Sequence, residues 1–507
     1  MSFRRASGIL LHPTSLPGRF GIGDLGRQAY HFVDFLISTG QHLWQILPLG
    51  PTGYGNSPYQ CLSVFAGNPL LISLERLADD NLLQSADLEN TPSFPDDRVD
   101  YDSVSRFKML LLRKSFDTFE RKTARHEREQ FEVFCWNNMS WLETYSLFMA
   151  LKEAHGFTAW NTWEEDIRRR QPKSLEHWSK KLDDEMRYHK YQQYQFFKQW
   201  SELKKYCNER RIRLIGDMPI FVALDSAGVW SHPGMFYLND SGEPTIVAGV
   251  PPDYFSDTGQ LWGNPLYRWD VMARDGYAWW IERFRTTRDL VDIIRLDHFR
   301  GFEKYWEVPA RDDTAVNGRW VPGPGPKLFE AVQEALGTVP IIAEDLGLIT
   351  PEVHALREQF GFPGMRVLQF SFGSGPKANE YRPYNYPRNC VVYTGTHDNN
   401  TAIGWFEGED VKDSTQSKEE REKEKQVALK YLGTDGHEIN WDFIRLALMS
   451  PADTAIIPMQ DILGLGSEAR MNLPGRVEGN WSWRFTGNML TEEIKTRLRK
   501  LTKLSGR

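Results

Sequence analysis

The stretch Ile293-Ile-Arg-Leu-Asp297-His-Phe-Arg-Gly301 is a short apolar run that ends in an acid and a polar turn. The same pattern returns in Ile341-Ile-Ala-Glu344-Asp345-Leu-Gly347 and in Val391-Val-Tyr-Thr-Gly-Thr-His397-Asp398. Short apolar runs bounded by polar residues and glycine are typical of buried parallel strands. Successive acids stand about 50 residues apart, which leaves room for a strand, a helix and loops. Each acid therefore belongs to a different predicted strand.

Eight apolar runs of this kind occur along the chain, at 8–11, 42–47, 212–215, 291–296, 339–343, 365–370, 390–393 and 454–457. Most are separated by segments whose apolar residues have helical spacing, such as 28–38, 327–336, 351–360 and 441–449. Alternating strands and helices favour a parallel sheet, and eight such units favour a closed barrel. The sequence therefore predicts an α/β protein with one catalytic (β/α)8 TIM barrel domain over residues 1–507.

Two gaps between the predicted strands are too long for simple crossovers. Residues 51–211 contain helical patterns at 105–125 and 189–209, which predict an inserted, mostly helical subdomain. Residues 222–290 are dense in Pro, Gly and Asp and predict a second insertion that carries an active-site loop. Insertions in such barrels lie at the C-terminal face, where active sites are built.

The composition excludes several classes of function. The 507 residues include 61 Lys and Arg against 68 Asp and Glu, a net charge of −7. Such a chain lacks the basic footprint of a nucleic-acid binder and has no electrostatic attraction to an anionic membrane. It has no run of about 18 apolar residues. The four cysteines form no C-x-x-C pair, which suits a reducing compartment. We therefore expect a cytoplasmic protein with neither nucleic-acid nor membrane partners.

One glycine motif resembles a dinucleotide-binding site, but the residues around it do not fit such a site. Gly21-Ile-Gly23-Asp-Leu-Gly26 matches the G-x-G-x-x-G pattern of dinucleotide sites. Such a site needs a strand that runs straight into the glycines and an acid about 20 residues later. Here Pro13 and Pro17 interrupt the approach, and 44–47 contains no acid. We expect no nucleotide cofactor.

Four acids at predicted strand ends would converge at the C-terminal face. They are Asp217, Asp297, Glu344 and Asp398. One acid at a strand end is commonly a turn or helix cap, whereas several converging acids require a metal, a cation or a catalytic purpose. Magnesium would also accept such carboxylates, but no phosphate-binding motif accompanies them.

Arg295 favours the interpretation of these acids as a glycosidase-like pair over a magnesium site. It lies two residues before Asp297, on the same face of a strand, and would keep that carboxylate ionised as a nucleophile. A nucleophilic carboxylate beside a protonated carboxylic acid is the arrangement of retaining glycosidases. Glu has the higher reference pKa, which favours Glu344 over Asp345 as the acid. His298 and His397 would supply donors for sugar hydroxyls.

At these residues the sequence resembles the 4-α-glucanotransferases of glycoside hydrolase family 77, also called amylomaltases or disproportionating enzymes, which are relatives of the α-amylases. The resemblance runs nearly from end to end, through 12–18, 47–59, 216–222, 251–265, 295–301, 343–347, 395–398, 460–461 and 469–475. It implies Asp297 as nucleophile, Glu344 as general acid/base and Asp398 as transition-state stabiliser. One departure is Asn400, where the family pattern leads us to expect Asp.

The resemblance also implies a substrate-binding set formed by Tyr59, Asp217, Gln260, Trp262, Arg295, His397 and Asn472. Gln260 and Trp262 belong to a loop over the acceptor side, and Asn472 belongs to a facing loop. Tyr54 and Tyr101 match positions that the family uses as a second glucan-binding surface. The family uses no metal or organic cofactor.

The activity implied is cleavage of α-1,4-glucans with retention, followed by transfer to the 4-hydroxyl of glucose or another α-1,4-glucan. This is disproportionation, with cyclisation as a variant. The aromatic loop at 253–262 could cover the acceptor side and exclude water, which favours transfer. Two alternatives stay open: a hydrolase of the α-amylase kind, and a non-catalytic glucan-binding protein, which the intact set of three acids disfavours.

Overall fold

The computed structural model describes residues 3–252, 256–373, 376–408, 417–476 and 478–507. Its strands are β1 (Ala6–Leu10), β2 (Leu43–Ile46), β3 (Arg213–Pro219), β4 (Ile246–Val250), β5 (Gln260–Pro265), β6 (Ile293–Asp297), β7 (Lys304–Pro309), β8 (Arg319–Pro322), β9 (Ile341–Ala343), β10 (Gly364–Val367), β11 (Cys390–Tyr393) and β12 (Thr454–Pro458).

The helices before β6 are α1 (Arg27–Ser38), α2 (Leu74–Asp79), α3 (Ser85–Glu89), α4 (Tyr101–Lys122), α5 (Arg125–Asn137), α6 (Met139–Ala154), α7 (Glu165–Arg168), α8 (Pro172–Lys181), α9 (Asp183–Glu209), α10 (Ala227–Ser231), α11 (Trp269–Arg274) and α12 (Ala278–Leu290). Those after β6 are α13 (Arg300–Glu303), α14 (Pro326–Leu336), α15 (Pro351–Gln359), α16 (Pro376–Glu380), α17 (Ala402–Glu407), α18 (Lys418–Leu432), α19 (Ile439–Met449), α20 (Met459–Leu463) and α21 (Glu492–Leu504). None of the described helices is both long and apolar enough to cross a membrane.

Eight strands form one parallel sheet in the order β10-β11-β12-β1-β2-β3-β6-β9. The backbone amide of Ala343, at the end of β9, donates to the carbonyl of Pro363, beside β10, at 2.9 Å. This bond joins the two edges of the sheet. The predicted (β/α)8 barrel is therefore confirmed, and each of the eight apolar runs overlaps one of its strands.

The barrel encloses its own apolar core. Its inward side chains include Leu43, Ile215, Ile293, Met365 and Ile456, all buried. Helices cover the outside through apolar stripes. In α1, for example, Ala29, Phe32, Val33 and Leu36 are buried, a spacing of three, four and seven residues that places them on one helix face.

The structure adds a second sheet that the sequence analysis did not predict. The antiparallel order is β5-β4-β7-β8, and β4 pairs with β7 from Ile246 opposite Pro309 to Gly249 opposite Trp306. Barrel strand β6 lies between these partners in the chain, so the pairing is non-local and leaves no periodic signal in either segment. This sheet brings Gln260 and Trp262, on β5, above the barrel.

The segment between β2 and β3 is helical, from α2 to α9. Its long helices α4, α5, α6 and α9 pack through an aromatic cluster that includes Phe119, Phe131 and Tyr194. We propose that the chain is one barrel domain with insertions at 51–211 and 222–290.

Candidate active site

The register of β3 and β6 places three charged side chains together. Asp217 lies opposite Arg295, and Pro219 lies opposite Asp297. The Arg295 guanidinium, 3% exposed, contacts Asp217 Oδ2 at 2.5 Å and Asp297 Oδ1 at 3.1 Å. The two flanking carboxylates raise the pKa of Arg295 well above its usual value, against the effect of burial. The guanidinium is therefore a permanent cation between two acids.

Asp217 is held from a second side by neutral groups. Tyr59 Oη donates to Asp217 Oδ2 at 2.6 Å, and Gln45 Nε2 donates to Oδ1 at 3.4 Å. Gln45 in turn accepts from Tyr393 Oη at 2.8 Å. A buried carboxylate with this many donors has its lone pairs occupied and its orientation fixed.

Glu344 follows the last residue of β9 and has a different environment. Its carboxyl accepts the backbone amide of His298 at 2.7 Å and that of Leu346 at 2.9 Å. Burial, followed by the negative charge of Asp297, raises the pKa of Glu344 from 4.5 to about 8, against smaller opposing effects of Arg295 and the two amides. Glu344 therefore carries a proton at neutral pH.

Asp297 and Glu344 share one negative charge between them. Burial, the largest effect, raises the pKa of Asp297 above its usual value, and the adjacent Arg295 opposes this shift. Because Arg295 touches Asp297 directly, the charge is more stable on Asp297 and the proton on Glu344. The pair is thus divided into a carboxylate and a carboxylic acid, as nucleophile and general acid require.

The carboxyl of Asp345 contacts residues of α15 and β10. Its carboxylate pairs with Arg357 at 2.6 Å and accepts the backbone amide of Met365, also at 2.6 Å. The guanidinium of Arg366 lies 3.7 Å away. Asp345 therefore ties α15 to β10, and the choice of Glu344 as the acid stays a prediction.

Asp398 lies beyond β11, and its side chain is 47% exposed. Asn472 Nδ2 donates to its Oδ1 at 2.6 Å, and His397 Nε2 lies 3.4 Å from Oδ2. Arg470 donates to the carbonyl of Asp398 at 2.6 Å. The loop at 470–472 thus orients an exposed carboxylate for contact with a ligand.

Three rings form an aromatic wall beside these acids. Tyr59 stacks on His397 at 5.1 Å, with an interplanar angle of 16°. The Trp481 ring lies 5.7 Å from Tyr59 and 5.9 Å from His397. The sequence analysis missed Trp481, because it lies beyond the last family segment and a single Trp gives no local signal of its neighbours.

Gln260 and Trp262 lie together above His298. Trp262 Nε1 donates to Gln260 Oε1 at 3.1 Å, and its ring meets His298 edge to face at 4.8 Å. Burial, with the charge of Arg300, lowers the pKa of His298 to about 4, so this imidazole is neutral at pH 7. Residues 253–255 of the predicted lid loop lie outside the described residues.

The predicted second glucan surface consists of Tyr54 and Tyr101. The side chain of Tyr54 lies outside the described part of the chain. Tyr101 begins α4, packs against Val99 and Val104, and donates its hydroxyl to the carbonyl of Trp481 at 2.8 Å.

Asn400, the departure from the family pattern, has partners that suit an amide. Its Nδ2 donates to Ser467 Oγ at 2.7 Å, and its Oδ1 accepts the amide of Thr401 at 2.9 Å. In the described ranges, no three His, Cys, Asp or Glu side chains come together as a metal-ligand group.

Comparison with known proteins shows the family of the chain. A family model described as 4-alpha-glucanotransferase, of glycoside hydrolase family 77, matches residues 11–491. The chain belongs to this family. It is 51% identical to a 4-alpha-glucanotransferase of Synechocystis, over 99% of this chain and 98% of that protein. It is 50% identical to one from Thermus thermophilus, over the full length of both.

A solved structure shows the same family fold. The amylomaltase from Streptococcus agalactiae, determined in complex with acarbose, is 40% identical and superposes with a TM-score of 0.94. The alignment covers 99% of this chain and 100% of that one. Membership of the 4-alpha-glucanotransferase family, predicted from the sequence, is confirmed.

Proposed function

We propose that this 4-alpha-glucanotransferase family member cleaves α-1,4-glucans at Asp297 and Glu344 and passes the donor part to a second sugar. The observation that carries the proposal is the contrast between two neighbouring carboxyls, one in contact with the Arg295 guanidinium and the other buried away from it. Arg295 holds Asp297 as a carboxylate, while burial keeps the proton on Glu344. Retaining glycoside chemistry requires this pair of protonation states.

In the first step, an oxygen of Asp297 attacks C1 of the donor glucose. The bond between C1 and the glycosidic oxygen breaks, and Glu344 gives its proton to that oxygen. The departing glucan leaves with a neutral 4-hydroxyl, and the donor stays on Asp297 as a glycosyl ester. Asp398, exposed and oriented by Asn472, is placed to bind ring hydroxyls as positive charge develops at C1.

In the second step, the 4-hydroxyl of glucose or another glucan attacks C1. The Glu344 carboxylate removes the hydroxyl proton, and the bond to Asp297 breaks. Two inversions at C1 give retention, and Glu344 ends with its proton restored. Tyr59, Asp217, Arg295 and His397 hold the donor sugar at the cleavage point.

Transfer rather than hydrolysis requires that an acceptor sugar occupies the space that water would use. Trp262, supported by Gln260 and His298, offers a ring face for an acceptor. The partners proposed are therefore maltooligosaccharides, amylose, starch or glycogen as donors, and glucose or another glucan as acceptor.

All four cysteines are free thiols, which supports the proposed cytoplasmic location.

The test is incubation of the protein with maltotriose in the presence of a chelator, with products separated by chromatography and reducing ends counted. A glucanotransferase gives glucose and a ladder of longer oligomers at a constant number of reducing ends. Rising reducing ends would instead identify a hydrolase on the same scaffold. Binding of glucan without product would favour the non-catalytic alternative and contradict the proposal.

A further inference from the structure

Trp481 contacts both halves of the donor-sugar site. The indole is 6% exposed and packs against Tyr59 and His397. Tyr59 holds Asp217, the partner of Arg295, and His397 approaches Asp398. One side chain outside the predicted substrate set therefore supports the two rings that contact Asp217 and Asp398.

The backbone of Trp481 is fixed in a conformation that this residue type seldom adopts. Its φ is +63°, in the left-handed region, where a Cβ makes the backbone unfavourable. Two hydrogen bonds hold it there. Its amide donates to the carbonyl of Met471 at 2.7 Å, and its carbonyl accepts Tyr101 Oη at 2.8 Å. Strained residues held by their surroundings are found preferentially at functional sites.

Tyr101 reaches Trp481 from the helical segment between β2 and β3. Just before α4, Val99 donates its amide to Ser482 at 2.7 Å, and Arg484 donates its amide to Asp97 at 2.9 Å. These bonds align 97–101 along 481–484. The hydrogen bond from the Tyr101 hydroxyl is the last of these contacts between 97–101 and 481–484, and it is the one closest to the aromatic wall.

We propose that Trp481 is a positioning residue for glucan transfer, and that the Tyr101 hydroxyl sets its position. Through this bond the helical segment controls the spacing of Tyr59 and His397, and so the alignment of the donor sugar over Asp297. The proposal rests on the function proposed above. It assigns Tyr101 a hydrogen-bonding role at the donor site, separate from any contact of Tyr101 with a second glucan.

The first test replaces Tyr101 with Phe, which keeps the ring and removes the hydroxyl. Tyr188→Phe is the matched control, because Tyr188 belongs to the same helical segment and donates to a backbone carbonyl, that of Met109, at 3.3 Å. We expect Tyr101→Phe to lower kcat for maltotriose roughly three- to tenfold, the effect of one hydrogen bond, with KM unchanged. Tyr188→Phe should change neither constant beyond twofold, although both variants lower Tm.

The second test is a double-mutant cycle. Trp481→Phe keeps a ring in the wall, whereas Trp481→Ala removes it and should lower kcat on the order of 10²-fold, as misplacement of a reacting sugar does. In the Trp481→Ala background, Tyr59→Phe should cost clearly less than it does in the wild type, because the two residues act through one contact. Trp481→Phe should recover most of the lost kcat.

Two outcomes would overturn the inference. One is a folded Tyr101→Phe variant with wild-type kcat, and the other is full additivity of Trp481→Ala with Tyr59→Phe. Failure of the proposed function is distinguishable from both. In that case the wild-type protein itself forms no ladder of oligomers from maltotriose, whatever the variants do.

Discussion

Glu344 and Asp345 are adjacent in the chain, yet their carboxyls have opposite surroundings. Glu344 accepts the backbone amides of His298 and Leu346, and its pKa rises to about 8. Asp345 is paired with the guanidinium of Arg357 at 2.6 Å. One residue therefore separates the proposed general acid/base from a carboxyl that joins elements of the barrel, although burial raises the pKa of both groups.

This contrast predicts that the two amide substitutions lower different quantities, kcat for Glu344→Gln and Tm for Asp345→Asn. Glu344→Gln should lower kcat about 10²- to 10⁴-fold, the usual contribution of a general acid/base, and leave the protein folded. Asp345→Asn should lower Tm, because it removes the buried anion of Arg357 and leaves this guanidinium with the exposed carboxylate of Glu358, 3.3 Å away. It should keep kcat of the folded fraction within about tenfold of wild type, as expected when the acid/base is intact. Maltotriose kinetics and thermal unfolding distinguish them. Equal kcat losses for both variants would contradict the assignment.

The pH dependence of the first step should show the titration of Glu344. The reactive form has Glu344 protonated, so kcat/KM for maltotriose should fall tenfold per pH unit above about 8. α-Maltosyl fluoride is the control substrate, because fluoride leaves without needing a proton. Its kcat/KM should lack this basic limb. A limb near pH 8 with both substrates would assign the titration to another group.

The same pKa shift predicts a pH-dependent change in stability. Glu344 has its pKa raised from 4.5 to about 8 on folding. Below pH 4.5 the carboxyl is protonated in both states, and its contribution to stability is fully present. Between these values the unfolded chain ionises first, so the folded state loses relative stability as pH rises, until the loss levels off above about 8.

Glu344→Gln removes this proton linkage. The variant should gain Tm relative to wild type on going from pH 5 to pH 8, with no further gain at pH 9. Glu330→Gln, at an exposed position of α14, is the control, and its Tm difference should not depend on pH. Thermal unfolding at the three pH values measures both, and a pH-independent difference for Glu344→Gln would contradict the raised pKa.

Arg295 should be required for both stability and chemistry. Arg295→Met leaves Asp217 and Asp297 without their shared cation, which should cost about 3–5 kcal/mol in the free energy of unfolding and raise the pKa of Asp297. Adding Asp217→Asn removes one of the unpaired charges. The double variant should regain part of the stability in denaturant titration but no transferase activity. Recovery of activity would show that Arg295 is not needed to ionise Asp297.

The sequence was sufficient for the barrel, because each strand is a local apolar run and the strand-end acids mark one face. Residue type also favours Glu344 over Asp345 as the acid, and this assignment stays a prediction. Trp481 and the antiparallel sheet could not be predicted from local patterns. Both depend on pairing between segments far apart in the chain, such as 97–101 with 481–484 and β4 with β7, and such pairing leaves no periodicity in either partner.

Trp262 should decide between transfer and hydrolysis. Its ring contacts Gln260 and His298, and in the proposed function this is the side of the site where an acceptor sugar displaces water. Trp262→Ala should therefore raise KM for glucose as acceptor and increase the share of glycosyl ester that is hydrolysed. Stacking on an aromatic ring contributes about 1 kcal/mol, or roughly fivefold, to such binding.

The measurement is the ratio of new reducing ends to glucose released from maltotriose. Trp262→Phe is the matched control, since it keeps an aromatic face but loses the indole bond to Gln260, and it should retain most of the transfer. A variant Trp262→Ala that loses total activity at an unchanged ratio would mean that the ring serves the donor side instead. A raised ratio with near-normal turnover would show that the Trp262 ring determines whether a sugar or water attacks the glycosyl ester.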